Sequence, residues 1–124
     1  MRLEPAILLI ARPGPLRESL QVLLTALPGS RPVVLLDGWL SETLREIQSE
    51  PVLVLVVFEP DSLETEVSAA TAQVKNRWPH VPLIVLADME QQHQAAASAG
   101  ADRVWFNGTL AAQMLVEIEM LLNE

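Results

Sequence analysis

The chain has 124 residues, half of them apolar, which is enough for one real core and too little for two ordinary domains, so residues 1–124 read as a single domain. Its formal net charge of −8 repels phosphate backbones and anionic lipid, which argues against nucleic-acid binding and membrane attachment by this domain. Cysteine is absent, so disulfides, thiolate chemistry and Cys-based zinc sites are excluded.

Apolar strand candidates alternate with helix candidates, the pattern of a parallel sheet wrapped by helices. Ala6–Ala11 (AILLIA) is the first strand. Arg12-Pro-Gly-Pro15 then makes a turn that places Pro15 at a first helical position. Leu16, Leu20, Leu23, Leu24 and Leu27 recur at helical spacing until Pro28-Gly29 stops the helix. Pro32–Leu36 is a shorter second strand, closed by Asp37-Gly38. A helix is expected over Ser41–Ser49, with Ser41 as N-cap and Leu44 and Ile47 facing inward.

The third strand is the most informative. Between Pro51 and Pro60 the run from Val52 to Phe58 is unbroken and mostly β-branched or aliphatic. A half-exposed strand would alternate, so this one is a central parallel strand covered on both faces. Ligands and chemistry in open α/β sheets gather beyond the carboxyl ends of such strands. Here that end offers Val57 and Phe58, and no acid until Glu59.

Asp61 or Ser62 is expected to cap the next helix, whose inward stripe is Leu63, Val67, Ala70, Val74 and Trp78, with Pro79 ending it. Pro82–Ala87 is the fourth strand. Asp88 is expected to cap a helix over Glu90–Ala99 that is rich in Gln and Ala but poor in large anchoring side chains, which makes it the loosest. Gly100 terminates it, Val104–Phe106 is a short fifth strand, and Thr109 caps a last helix burying Leu110, Met114, Ile118, Leu121 and Leu122. No basic segment precedes an apolar leader and no apolar run is long enough to span a bilayer, so a soluble cytoplasmic protein is expected.

Few residues invite chemistry. Glu59 and Asp88 suggest a carboxylate pair or a weak metal site, but loop-end acids on an acidic protein are ordinarily solvated. His80 and His93 have no well-spaced ligating neighbours, and no metal or other cofactor is expected. Arg12-Pro-Gly-Pro15 carries prolines where a phosphate cradle needs N–H donors. Trp78 is expected to close its helix against the core and Trp39 to be partly exposed. Val104, Trp105, Phe106 and Leu110 are either core residues or an aromatic interaction face. Glu117, Glu119 and Glu124 form a solvated face that also suits steering of a basic partner.

Arg77-Trp-Pro-His-Val-Pro-Leu-Ile-Val-Leu86, followed by Ala99-Gly-Ala-Asp102, closely resembles the receiver domains of two-component response regulators, and Asp37-Gly38 and Pro51 fit the same pattern. The resemblance covers essentially the whole chain. It implies a flavodoxin-like (βα)5 three-layer α/β sandwich with a five-stranded parallel sheet in the order 2-1-3-4-5.

Receivers accept a phosphoryl group on an aspartate beside a magnesium ion held by an acid pair, with a hydroxyl and a lysine stabilising the phosphoryl oxygens. On this chain the resemblance places the acid pair at Ala11 and Arg12, the acceptor at Val57, the hydroxyl at Ala87 and the lysine at Asn107. The aromatic switch position falls at Val104. All the side-chain requirements fail together, and Lys75, the only lysine, lies midway along the third helix.

Valine has no nucleophilic atom, so the chain reads as a pseudo-receiver: a non-enzymatic, phosphorylation-independent protein–protein interaction module in signal transduction, with a protein partner or a second copy as its target. Arg12 standing in the metal's place is expected to pair with Glu59 or Asp88. Two alternatives remain: a ligand-binding or enzymatic module reusing the rim at Arg12, Glu59, Asp88 and Asn107, or an active receiver with an unconventional acceptor such as Asp88.

Overall fold

A computed structural model describes residues 6–27, 32–36, 47, 50–106, 108–109 and 111–123. Five strands, β1 (Ile7–Ile10), β2 (Val33–Leu36), β3 (Leu53–Val57), β4 (Leu83–Leu86) and β5 (Arg103–Trp105), form one sheet in the order β2-β1-β3-β4-β5. Every pairing is parallel. The described helices are α1 (Pro15–Thr25), α2 (Glu64–Arg77), α3 (Glu90–Ala99) and α4 (Ala111–Leu122). The expected helix over Ser41–Ser49, with Trp39, and the turns at Pro28-Gly29 and Asp37-Gly38, lie outside the described residues apart from Ile47.

The continuous apolar runs of β1, β3 and β4 follow from burial on both faces, and their side chains divide by the two-residue period of a strand. Leu8, Ile10, Val54, Val56, Leu83 and Val85 point to one side, where Val67, Ala70 and Val74 of α2 and Ala96 of α3 cover them. Ile7, Leu9, Leu53, Leu55, Ile84 and Leu86 point to the other, against Leu20 and Leu24 of α1 and Met114, Ile118 and Leu121 of α4. The result is three layers with a core on each side of the sheet. Burying one such aliphatic side chain contributes about 1.5–3 kcal/mol, so the central strands dominate stability.

The helix ends differ from expectation. Neither Asp61 nor Ser62 caps α2; the N-cap is Leu63, whose N–H donates to Glu66 Oε1 at 2.9 Å. Likewise Met89, not Asp88, precedes α3, and its N–H donates to Gln92 Oε1 at 3.3 Å. In both cases a long side chain on the first turn reaches back to a backbone donor that a short polar cap would otherwise leave exposed. Gly100 ends α3 in a left-handed conformation with φ of +113°, as its position suggested.

At the amino-terminal end of the sheet, Lys75 and Asp102 join α2 to the entry of β5. Lys75 Nζ donates to Asp102 Oδ2 and to the Val81 carbonyl, each at 3.1 Å, and the Leu83 N–H donates to the same Asp102 oxygen at 2.8 Å. Trp78 is buried at the end of α2, as expected, with the Arg77 guanidinium 5.6 Å from its ring.

Candidate functional site

The carboxyl ends of β1 and β3 and the segment after β3 enclose a cleft of about 220 Å³ lined by Ile10, Arg12, Val56, Val57, Phe58, Glu59, Ser62 and Glu66. The sheet builds it directly. Val57 stands in register with Leu86, the Phe58 N–H donates to the Leu86 carbonyl at 2.9 Å, and the Ala87 N–H donates to the Trp105 carbonyl at 3.0 Å. The ladder therefore runs unbroken to the rim and sets Val57 at the mouth of the cleft, half-buried, with Ala11 and Ala87 buried beside it on the neighbouring strands.

Ile10, Val56, Val57 and Phe58 give the cleft its apolar wall, and Arg12, Glu59, Ser62 and Glu66 its polar one. Val57, Ala11 and Ala87 offer no nucleophile, hydroxyl or carboxylate, and Asn107 lies outside the described residues. The donor set does not fit a divalent cation either: Arg12 brings a fixed positive charge to the rim, and among the described residues no group of three or more His, Asp or Glu side chains converges as metal ligands. Lys75 cannot be recruited, because its bonds hold it at the opposite end of the sheet.

The rim departs from expectation at Arg12. Its side chain is exposed and shares the cleft with Glu59, but it makes no ion pair with Glu59 or Asp88 among the described residues. An exposed pair gains about 0–1 kcal/mol, too little to hold a flexible arginine in one place. The aromatic face also divides. Trp105 is only 3% exposed and packs into the core on the α1 and α4 side, so it is not an interaction residue. Among the described residues its indole N–H has no hydrogen-bond partner. Val104 is half-buried, Phe106 is 55% exposed, and Leu110 is outside the described residues. Glu117 is not purely solvated, since its Oε1 lies 3.7 Å from Arg103 Nε.

Two residues that sequence reasoning passed over organise the rim. Gln92, 2% exposed, donates from Nε2 to the carbonyls of Glu59 at 2.9 Å and Ser62 at 3.0 Å, with Pro60 at 3.4 Å. With its Oε1 taken by the Met89 N–H, a single amide ties the loop after β3 to the start of α3. The neighbouring His93 donates from Nε2 to the Ala87 carbonyl, and its ring lies 3.9 Å from that of Phe106, tilted by 32°. The helix that lacks large apolar anchors is thus fastened by polar ones. Its only sequence signal is Gln92 three residues after the cap, a weak cue in a Gln-rich segment.

No protein-family model matches the chain, and no curated protein matches it in sequence. Solved structures do match its fold. A response regulator receiver protein from Pseudoalteromonas atlantica superposes with a TM-score of 0.76 at 17% identity, over 96% of this chain and 98% of that one. The signal receiver domain of an HD domain-containing protein from Pseudomonas fluorescens gives 0.75 at 17% identity, over 98% and 96%. A CheY-like receiver domain protein from Methanospirillum hungatei gives 0.70 at 18% identity, over 97% and 95%. The chain has the flavodoxin-like fold of receiver domains, in the strand order expected. No described helix is long and apolar enough to cross a membrane.

Proposed function

We propose that this chain is a receiver-like module of a signalling assembly that works by binding a protein, without phosphorylation and without enzymatic activity. The observation that carries this reading is the end of β3: Val57 sits in register with Leu86 at the mouth of the cleft, flanked by Ala11 and Ala87. Phosphoryl transfer needs a nucleophile held in line and a cation to spread the developing charge. Val57 supplies no nucleophile, and one exposed guanidinium at the edge of the cleft does not replace a coordinated metal ion. With that chemistry gone, the fold still offers surfaces, and a soluble cytoplasmic partner protein is what such a surface serves.

The test is incubation with a small phosphodonor and magnesium, followed by intact mass under conditions that preserve acyl phosphates. The expected mass is that of the unmodified chain. An acid-labile phosphate adduct, at Asp88 or any other carboxylate, would overturn the reading.

A second reading is favoured by the open cleft itself, where Arg12, Glu59, Ser62 and Glu66 form the polar wall. A small anionic or zwitterionic ligand bound there would make the chain a ligand-gated module. A thermal-shift screen against metabolites separates the two: a stabilising hit abolished by Arg12→Ala supports the ligand, and none supports the protein-binding reading.

A further inference from the structure

Each of the loops that leave β3, β4 and β5 carries a large exposed apolar side chain, Leu63 at 63% exposure, Met89 at 45% and Phe106 at 55%, the first two just before a helix and the last just after its strand. They are joined by the polar clasp described above. Gln92 accepts the Met89 N–H with one end of its amide and holds the Ser62 carbonyl, on the peptide bond to Leu63, with the other. His93, next in the chain, stacks on Phe106, and its own N–H donates to the Met89 carbonyl at 3.1 Å. Two consecutive α3 residues therefore tie together the backbone segments that carry Leu63 and Met89 and stack on Phe106, and restraining these segments in advance lowers the entropy lost on binding.

The charge around this surface is predominantly negative, with Arg12 of the adjoining cleft as the cation beside Glu59 and Glu66. Glu59, Asp61, Glu64, Glu66, Asp88 and Glu90 belong to the same two loops and first helical turns, and no lysine or arginine occurs between Phe58 and Lys75 or between Arg77 and Arg103. Acids at helix N-termini stabilise their own helices. That accounts for Glu64, Glu66 and Glu90 but not for Glu59, Asp61 and Asp88, and Arg12 offsets only part of the excess.

We propose that Leu63, Met89 and Phe106 form the docking surface, and that its occupant is an amphipathic segment of a partner protein whose apolar face is flanked by lysine or arginine. The apolar side chains would supply affinity and the surrounding carboxylates orientation and on-rate. This deepens the protein-binding reading by naming the face and the chemistry of the partner.

The experiment titrates the isotopically labelled chain with a synthetic helical peptide of leucine and lysine, leucines on one face, and with its counterpart carrying glutamate in place of every lysine. The expected result is that the lysine peptide moves the amide resonances of residues 59–66, 88–93 and 106, while the glutamate peptide does not bind. Leu63→Ser/Met89→Ser/Phe106→Ser should weaken the lysine peptide by roughly tenfold or more, whereas Val22→Ser, on exposed α1, should leave it unchanged. Raising the salt should also weaken it.

Resonances moving on another face, equal binding of both peptides, no binding, or indifference to the triple substitution would each overturn the proposal. So would a wild-type dimer in sedimentation velocity that the triple variant dissociates, because the occupant would then be a second copy. If the triple variant loses its fold, Asp61→Lys/Glu64→Lys carries the same test through charge alone. The phosphodonor result does not depend on these outcomes, so the docking surface can fail while the protein-binding reading stands.

Discussion

Lys75 Nζ lies 3.1 Å from Asp102 Oδ2, which fixes the chain's only lysine to the entry of β5, at the end of the sheet opposite Val57. The same carboxylate oxygen accepts the Leu83 N–H, so Asp102 pins the starts of both β4 and β5. Asp102→Ala is expected to cost about 1–3 kcal/mol, because it strands a backbone donor as well as the ammonium. Lys75→Met removes a partly exposed ion pair and the bond to the Val81 carbonyl but leaves Asp102 bonded to Leu83, and should cost less, about 1 kcal/mol. Chemical denaturation of the two variants checks the order.

Gly100 packs against the same lysine. A Cβ there would come within 3.3 Å of Lys75 Cγ, on a backbone with φ of +113°. Conformational strain adds to the crowding, so Gly100→Ala should destabilise by about 1–2 kcal/mol, read as a lower unfolding midpoint. A Gly100→Ala/Lys75→Ala double variant should recover the crowding part alone, since the strain remains.

Gln92→Leu keeps the volume but leaves the carbonyls of Glu59 and Ser62 and the N–H of Met89 without their partner. The expected loss is about 1–3 kcal/mol. Hydrogen exchange should localise it: the Ser62 amide, bonded to the Glu59 carbonyl, should exchange faster while the β3 amides hardly change.

An acid at the position where the receiver resemblance places the acceptor is not expected to make the chain phosphorylatable. Val57→Asp puts a carboxylate in a half-buried site beside Arg12, and among the described residues no group of three acidic or histidine side chains converges to hold magnesium. Incubation with phosphodonor and magnesium should leave the mass of the variant unchanged. Its stability should fall by about 1–3 kcal/mol from burial of a polar group.

The sheet was readable from sequence because β1, β3 and β4 are buried on both faces, and that produces apolar runs such as Val52–Phe58 that few other structures require. The position of Val57 at the cleft was readable for the same reason: it is the last residue of β3, placed by the ladder. The rim was not. Its order comes from side chains reaching across loops far apart in the chain, as Gln92 does to Glu59, and periodicity carries no trace of such bonds. The same limit explains the caps. Asp61, Ser62 and Asp88 are the residue types that favour an N-cap, yet Glu66 and Gln92 reach back and satisfy the donors instead. Arg12 illustrates the reverse case, in which proximity in the fold suggested a pair that solvent exposure makes unprofitable.

The two cores each enclose one indole, Trp78 on the α2 and α3 side and Trp105 on the α1 and α4 side, and the sequence contains no tyrosine. The molecule is therefore built with a separate optical reporter in each layer. In a Trp39→Phe background, which removes the third indole of the sequence, replacing one of these two rings by phenylalanine leaves the other to emit, so the assembly of each half around the sheet can be timed separately by stopped flow.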